Sequence, residues 1–535
     1  MTRGKTFFGA LGAAALLMLL APCFVSRAQG TLSGSIESSS IFDPGKGGAT
    51  DGFHSNNYVK LDYRNGRFSA GLQGEWYPDP LPGFSANLKG IGLPGKYISW
   101  TESAWSLTAG DFYEQFGTGA ILRSWEDRDL GLNNSIGGMR LRGDFLGGGL
   151  SVKALGGVPR SGLRYDKSLV WGGDLEVAPL TLLGVESDHG FSLGGSLVGK
   201  YEWAPESDMT LLLGAPVPAS MLMYSARASY SFGGFSAQAE FIGKGGDFTA
   251  LHQAAAGDLY VLRPGKALTV EAAFAARGFS ASVTYRYLDN MAVRSHRTLG
   301  TVDISNTLNY LPALCQQQTY MLATLNPYET YSEGESGFRG DVYYTFKRGT
   351  ALGGKYGTKL HVGGSWIDAL GKVLPLRDKN NLAYRDLNVD IEKRWTSYWK
   401  ITFFVSIQES SPTHGNRKAT NAQNVFVVEN LWKLSRGTSL RSELQYLFSH
   451  ELTRDWMAGL LELGIAPHWS LSVSDMWNHG STKVHYWNVS AAYAVNSFKV
   501  MLGYGHNREG MVCSGGVCRW QPEYEGASLR LQWSF

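Results

Sequence analysis

What this 535-residue chain lacks narrows it first. After residue 28 no stretch approaches about 18 consecutive apolar residues, which excludes a membrane-crossing helix. Charge is scarce: 18% of residues are charged, both signs are scattered, and the net of +3 gives no footprint for a nucleic-acid partner. Cysteine is limited to Cys23, Cys315, Cys513 and Cys518. Among the 11 histidines, His450, His468, His479, His485 and His506 show no recognisable partner spacing, and no H-E-x-x-H occurs. No metal or cofactor is therefore expected. Gly190-Phe191-Ser192-Leu193-Gly194 has the letters of a G-x-S-x-G elbow but sits in strand-like sequence, without the strand–turn–helix context that exposes a nucleophile. No catalysis is expected.

Present in abundance are aromatic residues, 13% of the chain, and glycine, 67 in all. The apolar residues are ordered with a period of two. Leu440, Leu444, Tyr446 and Phe448 alternate with Arg441, Glu443 and Gln445; Trp469, Leu471 and Val473 alternate with serines. Ile401, Phe403, Val405 and Ile407 alternate with Thr402, Ser406 and Gln408, and the exception, Phe404, is expected to pack against a loop inside a lumen. Period two gives a strand with one apolar and one polar face. Many runs reach about ten residues, the length of a tilted strand that crosses a membrane, where soluble strands average about five or six. A membrane protein without helices must close into a barrel, since only closure satisfies every backbone N–H and C=O in lipid. The expected fold is all-β: a transmembrane antiparallel up-and-down barrel occupying residues 29–535 as one domain.

Both ends of the chain agree. Arg3 and Lys5, the apolar run from Phe7 to Pro22, and Ser26-Arg27-Ala28 have the form of a cleaved signal peptide over residues 1–28. Lipidation at Cys23 is disfavoured by Pro22, which stands where a small residue is expected. At the other end Leu529, Leu531, Trp533 and Phe535 alternate with Arg530, Gln532 and Ser534. This resembles the closing strand of bacterial outer-membrane barrels, in which a terminal aromatic is an assembly signal; Trp533 and Phe535 would carry it here. The setting implied is the outer membrane, with its lipid and lipopolysaccharide, and the barrel-assembly machinery at insertion.

Connection lengths give an independent test, because such barrels have short periplasmic turns and longer external loops. With the C-terminus placed in the periplasm, connections read backwards alternate: long over Gly505 to Pro522, tight at Asn496-Ser497, moderate over Asn478 to Thr482, tight at Ala466-Pro467-His468. They continue as moderate over His450 to Arg454, tight at Ser435-Arg436-Gly437, long over Glu409 to Ala422 and short at Arg394-Trp395-Thr396. A very long one spans Met291 to Gly337, and tight ones fall at Ala276-Arg277-Gly278 and Phe232-Gly233-Gly234. The count is about 24 strands (range about 20–26), an even number as single-chain bacterial barrels require. Strand-like alternation begins by Thr31, so no plug domain precedes the barrel, yet so many strands enclose a wide lumen. The long loops are the material available to narrow it.

The densest polar motif runs from Gly110 to Arg142. It holds Asp111, Glu114, Glu126, Asp127 and Asp129 with Arg123, Arg128, Arg140 and Arg142. Its composition resembles the constriction of general porins, where acids on an inward loop face arginines and the field between them filters solutes. A salt-bridged, tightly folded loop is the competing reading, and Gly117 and Gly119 suit either by permitting sharp turns. The segments Asn326-Pro327-Tyr328-Glu329-Thr330-Tyr331 and Trp76-Tyr77-Pro78-Asp79-Pro80-Leu81-Pro82 offer aromatic faces to a glycan, but loop packing and membrane girdles account for them more simply.

Gly110-Asp111-Phe112-Tyr113-Glu114-Gln115-Phe116-Gly117-x-Gly119, Asn309-Tyr310-Leu311-Pro312-Ala313-Leu314 and Cys513-Ser514-Gly515-Gly516-Val517-Cys518-Arg519 resemble together an uncharacterised group of outer-membrane barrels from Bacteroidota. The resemblance spans most of the chain and implies location and fold, with no reaction or substrate. Cys513 and Cys518 flank Gly515-Gly516 in an external loop, and in an oxidising compartment a disulfide is expected. Free thiols and a metal site are the alternatives, the second lacking further ligands. Cys315 is left without a partner in the sequence count. Two functions fit: a porin-like channel for passive passage of small hydrophilic solutes, or a non-conducting scaffold that docks a surface lipoprotein, another outer-membrane protein or a secretion or assembly machine.

Overall fold

The computed structural model describes residues 30–45, 50–203, 217–253, 257–297, 306–370, 381–411, 421–450, 454–514 and 517–535, apart from the side chains of residues 248–261. The proposed signal peptide, residues 1–28, lies outside the described residues. One antiparallel sheet of 25 strands dominates; removing the two-residue ribbon Arg164–Tyr165, which folds back on its neighbour, leaves a wall of 24. Each wall strand pairs with the next in sequence, and the first, Thr31–Asp43, pairs with the last, Tyr524–Ser534, from Ser35↔Ser534 to Phe42↔Ala527. The sheet is therefore a closed up-and-down barrel without an edge, as the alternation predicts.

Alternation decides which way each side chain points. In Thr438–Phe448, Leu444 and Phe448 are exposed while Glu443 and Gln445 are buried. In Trp469–Trp477 the exposed positions are Trp469, Leu471 and Val473. Leu61, Leu72, Ile98, Leu175, Leu222, Val283, Leu387, Leu461 and Leu502 continue this outward apolar belt around the wall. Soluble monomers rarely expose contiguous apolar patches above a few hundred Å², so the belt is a surface made for lipid. Aromatic residues gather where the strands end: Trp100, Trp105, Phe232, Phe235, Phe274, Trp395, Tyr398 and Trp469 stand at the rim that carries both chain ends. They form the girdle the composition points to.

The two rims differ. At the terminal rim, strands are joined by residues 66–67, 233–234, 277–278, 395–398, 434–437, 466–468 and 496–497. At the loop rim the connections include 113–135, 290–333 and 508–523. Two connections depart from the expected long–short rhythm: 178–188 and 347–357 are long although they lie at the terminal rim. The first contains a one-turn helix, Pro179–Leu182, opened by proline at its first position, and the second is glycine-rich. Strands Phe235–Gln253 and Gly257–Ala276 run past their neighbours, pairing with each other as far as Gln253↔Gly257 after a register shift between Lys244 and Asp247.

The interior is not a uniformly wet lumen. Toward the loop rim the inward rows change from polar to apolar: Ser225 is followed by Met223 and Met221, Asp174 by Val170, and Arg286 by Leu288. These residues join Phe116, Ile121 and Leu122 of the 113–135 loop and Met291, Val293 and Leu308 of the 290–333 loop in one buried cluster. Both loops therefore fold into the barrel and acquire a core there. A second cluster sets Leu322, Ala323 and Leu325 against Phe404, Val425, Val427, Leu447 and Trp456. Phe404 meets Tyr320 of the long loop with ring centroids 5.0 Å apart, which accounts for the break in its strand's alternation.

Candidate functional site

The 113–135 loop is built from two small ribbons. Gln115–Phe116 pairs with Leu122–Arg123, and Glu126–Asp127 pairs with Leu132–Asn133. Gly117 (φ 52°) and Gly119 (φ 93°) make the first reversal. The Gly117 backbone is also a seat: Thr118 N–H donates to Glu240 Oε2 at 3.0 Å, and a Cβ on Gly117 would lie 2.2 Å from Glu240 Oε1. Phe116, Ile121 and Leu122 are fully buried, so the loop is fixed by packing as well as by hydrogen bonds.

The acids and arginines singled out in the sequence come together chiefly as local pairs. Asp111 accepts from Lys96 N–H at 2.9 Å and Tyr165 OH at 2.7 Å. Glu114, with its side chain nearly fully covered, accepts from Arg142 at 2.6 and 3.0 Å and lies 3.6 Å from Lys153 and 4.0 Å from Arg140. Arg140 donates to Tyr113 O, and Lys153 to Gln115 O. Arg128 bridges Glu126 at 3.1 Å and Glu37 of the first strand at 2.8 Å, and covers the Tyr58 ring. Arg123 covers the Tyr310 ring at 4.0 Å. Asp127 accepts from the N–H groups of Asp129 and Leu130, closing its own turn. Asp129 is two-thirds exposed and pairs with Arg530 of the last strand at 2.7 Å. Glu114 does stand against Arg140 and Arg142, but with a third cation and under cover; Asp129 is the acid of this set that faces open space.

The 290–333 loop is held by a device that the sequence did not disclose. Cations of the wall donate to its carbonyls: Lys200 to Arg294 O at 2.9 Å, Lys244 to Ala292 O at 2.8 Å, Arg286 to Pro312 O at 2.5 Å, Arg339 to Cys315 O at 2.9 Å and Arg263 to Glu333 O at 3.0 Å. Arg297 of the loop answers by bonding wall acids Glu202 and Asp247 at 3.1 and 2.8 Å. Further round, neutral amides take over: Gln318 meets Asn388, Leu322 N–H meets Gln445, and Asn326 meets Gln423. An unbroken helix or sheet would satisfy these backbone groups itself; an irregular segment inside a barrel requires the wall to do so. The available signal was the recurrence of Lys or Arg at inward positions of strands, as at Lys200, Lys244, Arg286 and Arg339.

Between the loops lies a cavity of about 770 Å³. Its walls include Thr269, Ser282 and Thr284 of the barrel, Tyr310 and Gln316-Gln317-Gln318 of the long loop, and Thr118 of the shorter one. The tip of a third element, the ribbon Gly510–Ser514 paired with Val517–Gln521, reaches it through Met511, Val512 and Cys513. Cys513 and Cys518 are disulfide-bonded across that ribbon, as expected, while Gly515-Gly516 at its turn lie outside the described residues. Arg519 anchors the ribbon to the neighbouring loops by donating to Asp129 O at 3.0 Å and Pro82 O at 3.2 Å. Cys315 also lines the cavity; burial, with Asp386 adding to it, pushes its thiol up to about 12. Toward the terminal rim a wide recess of about 750 Å³ is lined by Ser470, Ser472, Ser490, Glu462 and Lys499.

Tyr77 and Tyr328 of the aromatic segments are used internally, while Trp76 faces outward. Tyr77 is buried and donates to Glu75, which in turn accepts both guanidinium arms of fully buried Arg160. Tyr328 stacks on Tyr384 with centroids 4.9 Å apart and donates to Glu335. Ser192 of the elbow-like sequence lies within strand His189–Glu202 and bonds Glu176 and Ser229. At the seam, Phe535 N–H donates to Gly34 O at 3.0 Å and Gly34 N–H to Phe535 O at 2.9 Å, while the Trp533 and Phe535 rings lie 4.9 Å apart.

A closed, girdled barrel with a lumen narrowed by its own loops is a β-barrel of the outer-membrane type. The chain belongs to a family of unknown function (DUF6029), which matches residues 9–535. No curated protein sequence matches it. Among solved structures it is similar to the siderophore receptor PirA from Pseudomonas aeruginosa, at 11% identity and TM-score 0.42, over 95% of this chain and 81% of that one. It is also similar to the P pilus usher PapC translocation pore, at 10% identity and TM-score 0.39 over 94% and 99% of the two chains. The copper transporter OprC gives 10% identity and TM-score 0.39 over 95% and 81%. Likeness at this level says nothing of what passes through or binds to this barrel.

Proposed function

We propose that the protein is an outer-membrane channel for small hydrophilic solutes, with the luminal loops as its filter. The observation that carries this reading is the cavity of about 770 Å³ between loops and wall, whose lining mixes hydroxyl and amide groups with the charged side chains of Glu271, Arg286, Arg339 and Asp341. Glu114, Glu126 and Asp111 are matched by nearby donors, so the filter selects by size, by hydrogen bonding and by the charges that line the cavity, and Asp129 with Arg530 adds an exposed pair outside it. In this reading residues 1–28 direct export, both ends of the barrel domain face the periplasm, and the long loops face outward from a Bacteroidota cell. No cofactor or catalysis is involved. Reconstitution in a planar bilayer tests it: stable open-channel steps are expected, with a shift in ion selectivity in Asp129→Lys. A silent barrel that co-purifies with a fixed partner overturns it and supports the second reading, an accessory scaffold for a surface lipoprotein or a secretion or assembly machine. The observation favouring that alternative is the density of bonds from the wall to the 290–333 loop, which suit a permanent closure.

A further inference from the structure

The terminal rim is electrically lopsided. Four successive connections along it carry Arg277; Lys347, Arg348 and Lys355; Lys393 and Arg394; and Lys433 and Arg436, within or directly beside them; Arg394 and Lys433 continue the inward rows of their strands, and Lys433 and Arg436 also line the luminal recess at this rim. None of residues 277–278, 347–357, 395–398 or 434–437 is Asp or Glu. Among the described residues, none of these eight cations has a carboxylate partner; the nearby acid Glu392 is taken by Lys359 and Lys400. The arc around connection 178–188 carries Glu176, Glu186 and Asp188 instead, so the basic arc is a local feature and not the fringe of a generally positive end.

Apolar residues are interleaved with these cations. Leu352 is 65% exposed, Trp395 55%, Tyr398 59% and Leu434 60%. Lys393 stands on the same face of its strand as lipid-facing Leu387 and Ile391, lies over the Trp395 ring at 5.4 Å and donates to Leu352 O. Cationic tips above exposed Trp, Tyr and Leu are the chemistry of a membrane interface, in which the stem and ring enter the hydrocarbon boundary and the charge remains at headgroup level. An acidic soluble partner would leave those apolar side chains unmatched. Turns that are two strands apart are spaced by about 10 Å, close to the Debye length at physiological salt, so the fields of neighbouring turns add.

We infer that this arc, from Arg277 to Arg436, binds the headgroups of anionic phospholipids in the leaflet at the terminal rim. The inference goes beyond the channel reading and holds for a conducting or a silent barrel alike. Native mass spectrometry of the detergent-purified full chain, offered phosphatidylglycerol and phosphatidylcholine of equal chain length at equal concentration, tests it. The wild type is expected to retain phosphatidylglycerol about tenfold over phosphatidylcholine. Replacing Lys347, Arg348, Lys355, Arg394 and Arg436 by Gln should abolish the preference, and replacing only Lys347, Arg348 and Lys355 should reduce it. Replacing loop-rim cations Lys89, Arg164 and Lys167 by Gln should leave it intact. Heat-modifiable migration in a gel confirms that each variant is folded. No preference in the wild type, or a preference that survives the five substitutions, overturns the inference.

Discussion

At the scale of single residues, the interior is governed by the cost of leaving a charge alone in a covered place. Glu335 shows it best. Its side chain is almost fully covered and accepts from Arg286 at 2.7 Å, from Tyr328 OH at 2.5 Å and from Tyr331 N–H at 2.8 Å, so one carboxylate ties the wall to the end of the long loop. Removing one partner of such a pair strands the other and costs about 3 kcal/mol. Glu335→Gln is therefore expected to speed chymotryptic cleavage after Tyr328 and Tyr331 by on the order of a hundredfold, in the regime where cutting follows the open population, with the barrel still intact. Unchanged cleavage would mean that packing alone holds the loop. Cys315 gives a pH-dependent counterpart. Its thiol is raised to about 12, so the thiolate appears only in strong base. At pH 8 its alkylation by iodoacetamide should be roughly a thousandfold slower in the folded protein than in the unfolded chain. The folded rate should keep climbing from pH 8 to 11, where the unfolded reference levels off. An early plateau, near the ordinary thiol value, would show that the site is solvated.

At the scale of elements, the loops behave as inserted domains whose core is shared with the wall. Among the described residues, the ribbon Gly510–Ser514/Val517–Gln521 is the one closed covalently. A crosslink around so short a loop contributes about 2 kcal/mol by restricting the open chain. With Cys513→Ser and Cys518→Ser, amides of this ribbon should exchange with deuterium about tenfold faster or more, while those of the adjoining strands Phe498–Asn507 and Tyr524–Ser534 keep their protection. Slower or equal exchange would show that Arg519 and its carbonyl partners suffice. Much at this scale is legible in the sequence. Strands with a free choice between lipid and water, such as Trp469–Trp477, announce both faces by strict alternation, and the lone exception at Phe404 marks a loop contact correctly. The charged motif is legible as a location only. Whether Glu126 faces a distant arginine or, as found, Arg128 two residues away is set by how the chain folds back, which composition does not encode. The anchoring of 290–333 was not legible because its acceptors are backbone carbonyls, which are the same in every residue; its donors, Lys200, Lys244, Arg286 and Arg339, read in the sequence as ordinary luminal charges.

At the scale of the whole molecule, everything depends on closure. Each interior strand spends its N–H and C=O groups on two neighbours, and the seam between Thr31–Asp43 and Tyr524–Ser534 does so with partners almost five hundred residues apart in sequence. That seam forms last in any order that begins from local hairpins, because its loop-closure entropy is the largest in the chain. Until it forms, two edges stand unpaired beside lipid, where each orphaned backbone group costs several kcal/mol. The seam has eight residue pairs, and the backbone pair of Phe535 with Gly34 extends it by one rung at the terminal rim. Because closure depends on this last and most distant pairing, a missing donor should matter more here than in a connection between strands. Proline at Ser38, opposite Asn57 on one side and Leu531 on the other, removes an N–H from the ladder and crowds the strand. Ser38→Pro is expected to yield no heat-modifiable, compact form on refolding into detergent or lipid. Ser187→Pro, in the connection between strands ending at Val177 and beginning at His189, should refold normally. Phe535→Ala, which keeps every backbone bond, should refold to a compact form in vitro with a smaller loss, since the ring contributes contacts to Trp533 and Gly34 but no rung of the ladder. If Ser38→Pro closes as readily as Ser187→Pro, the seam is not the limiting step, and the barrel is held shut by its luminal loops.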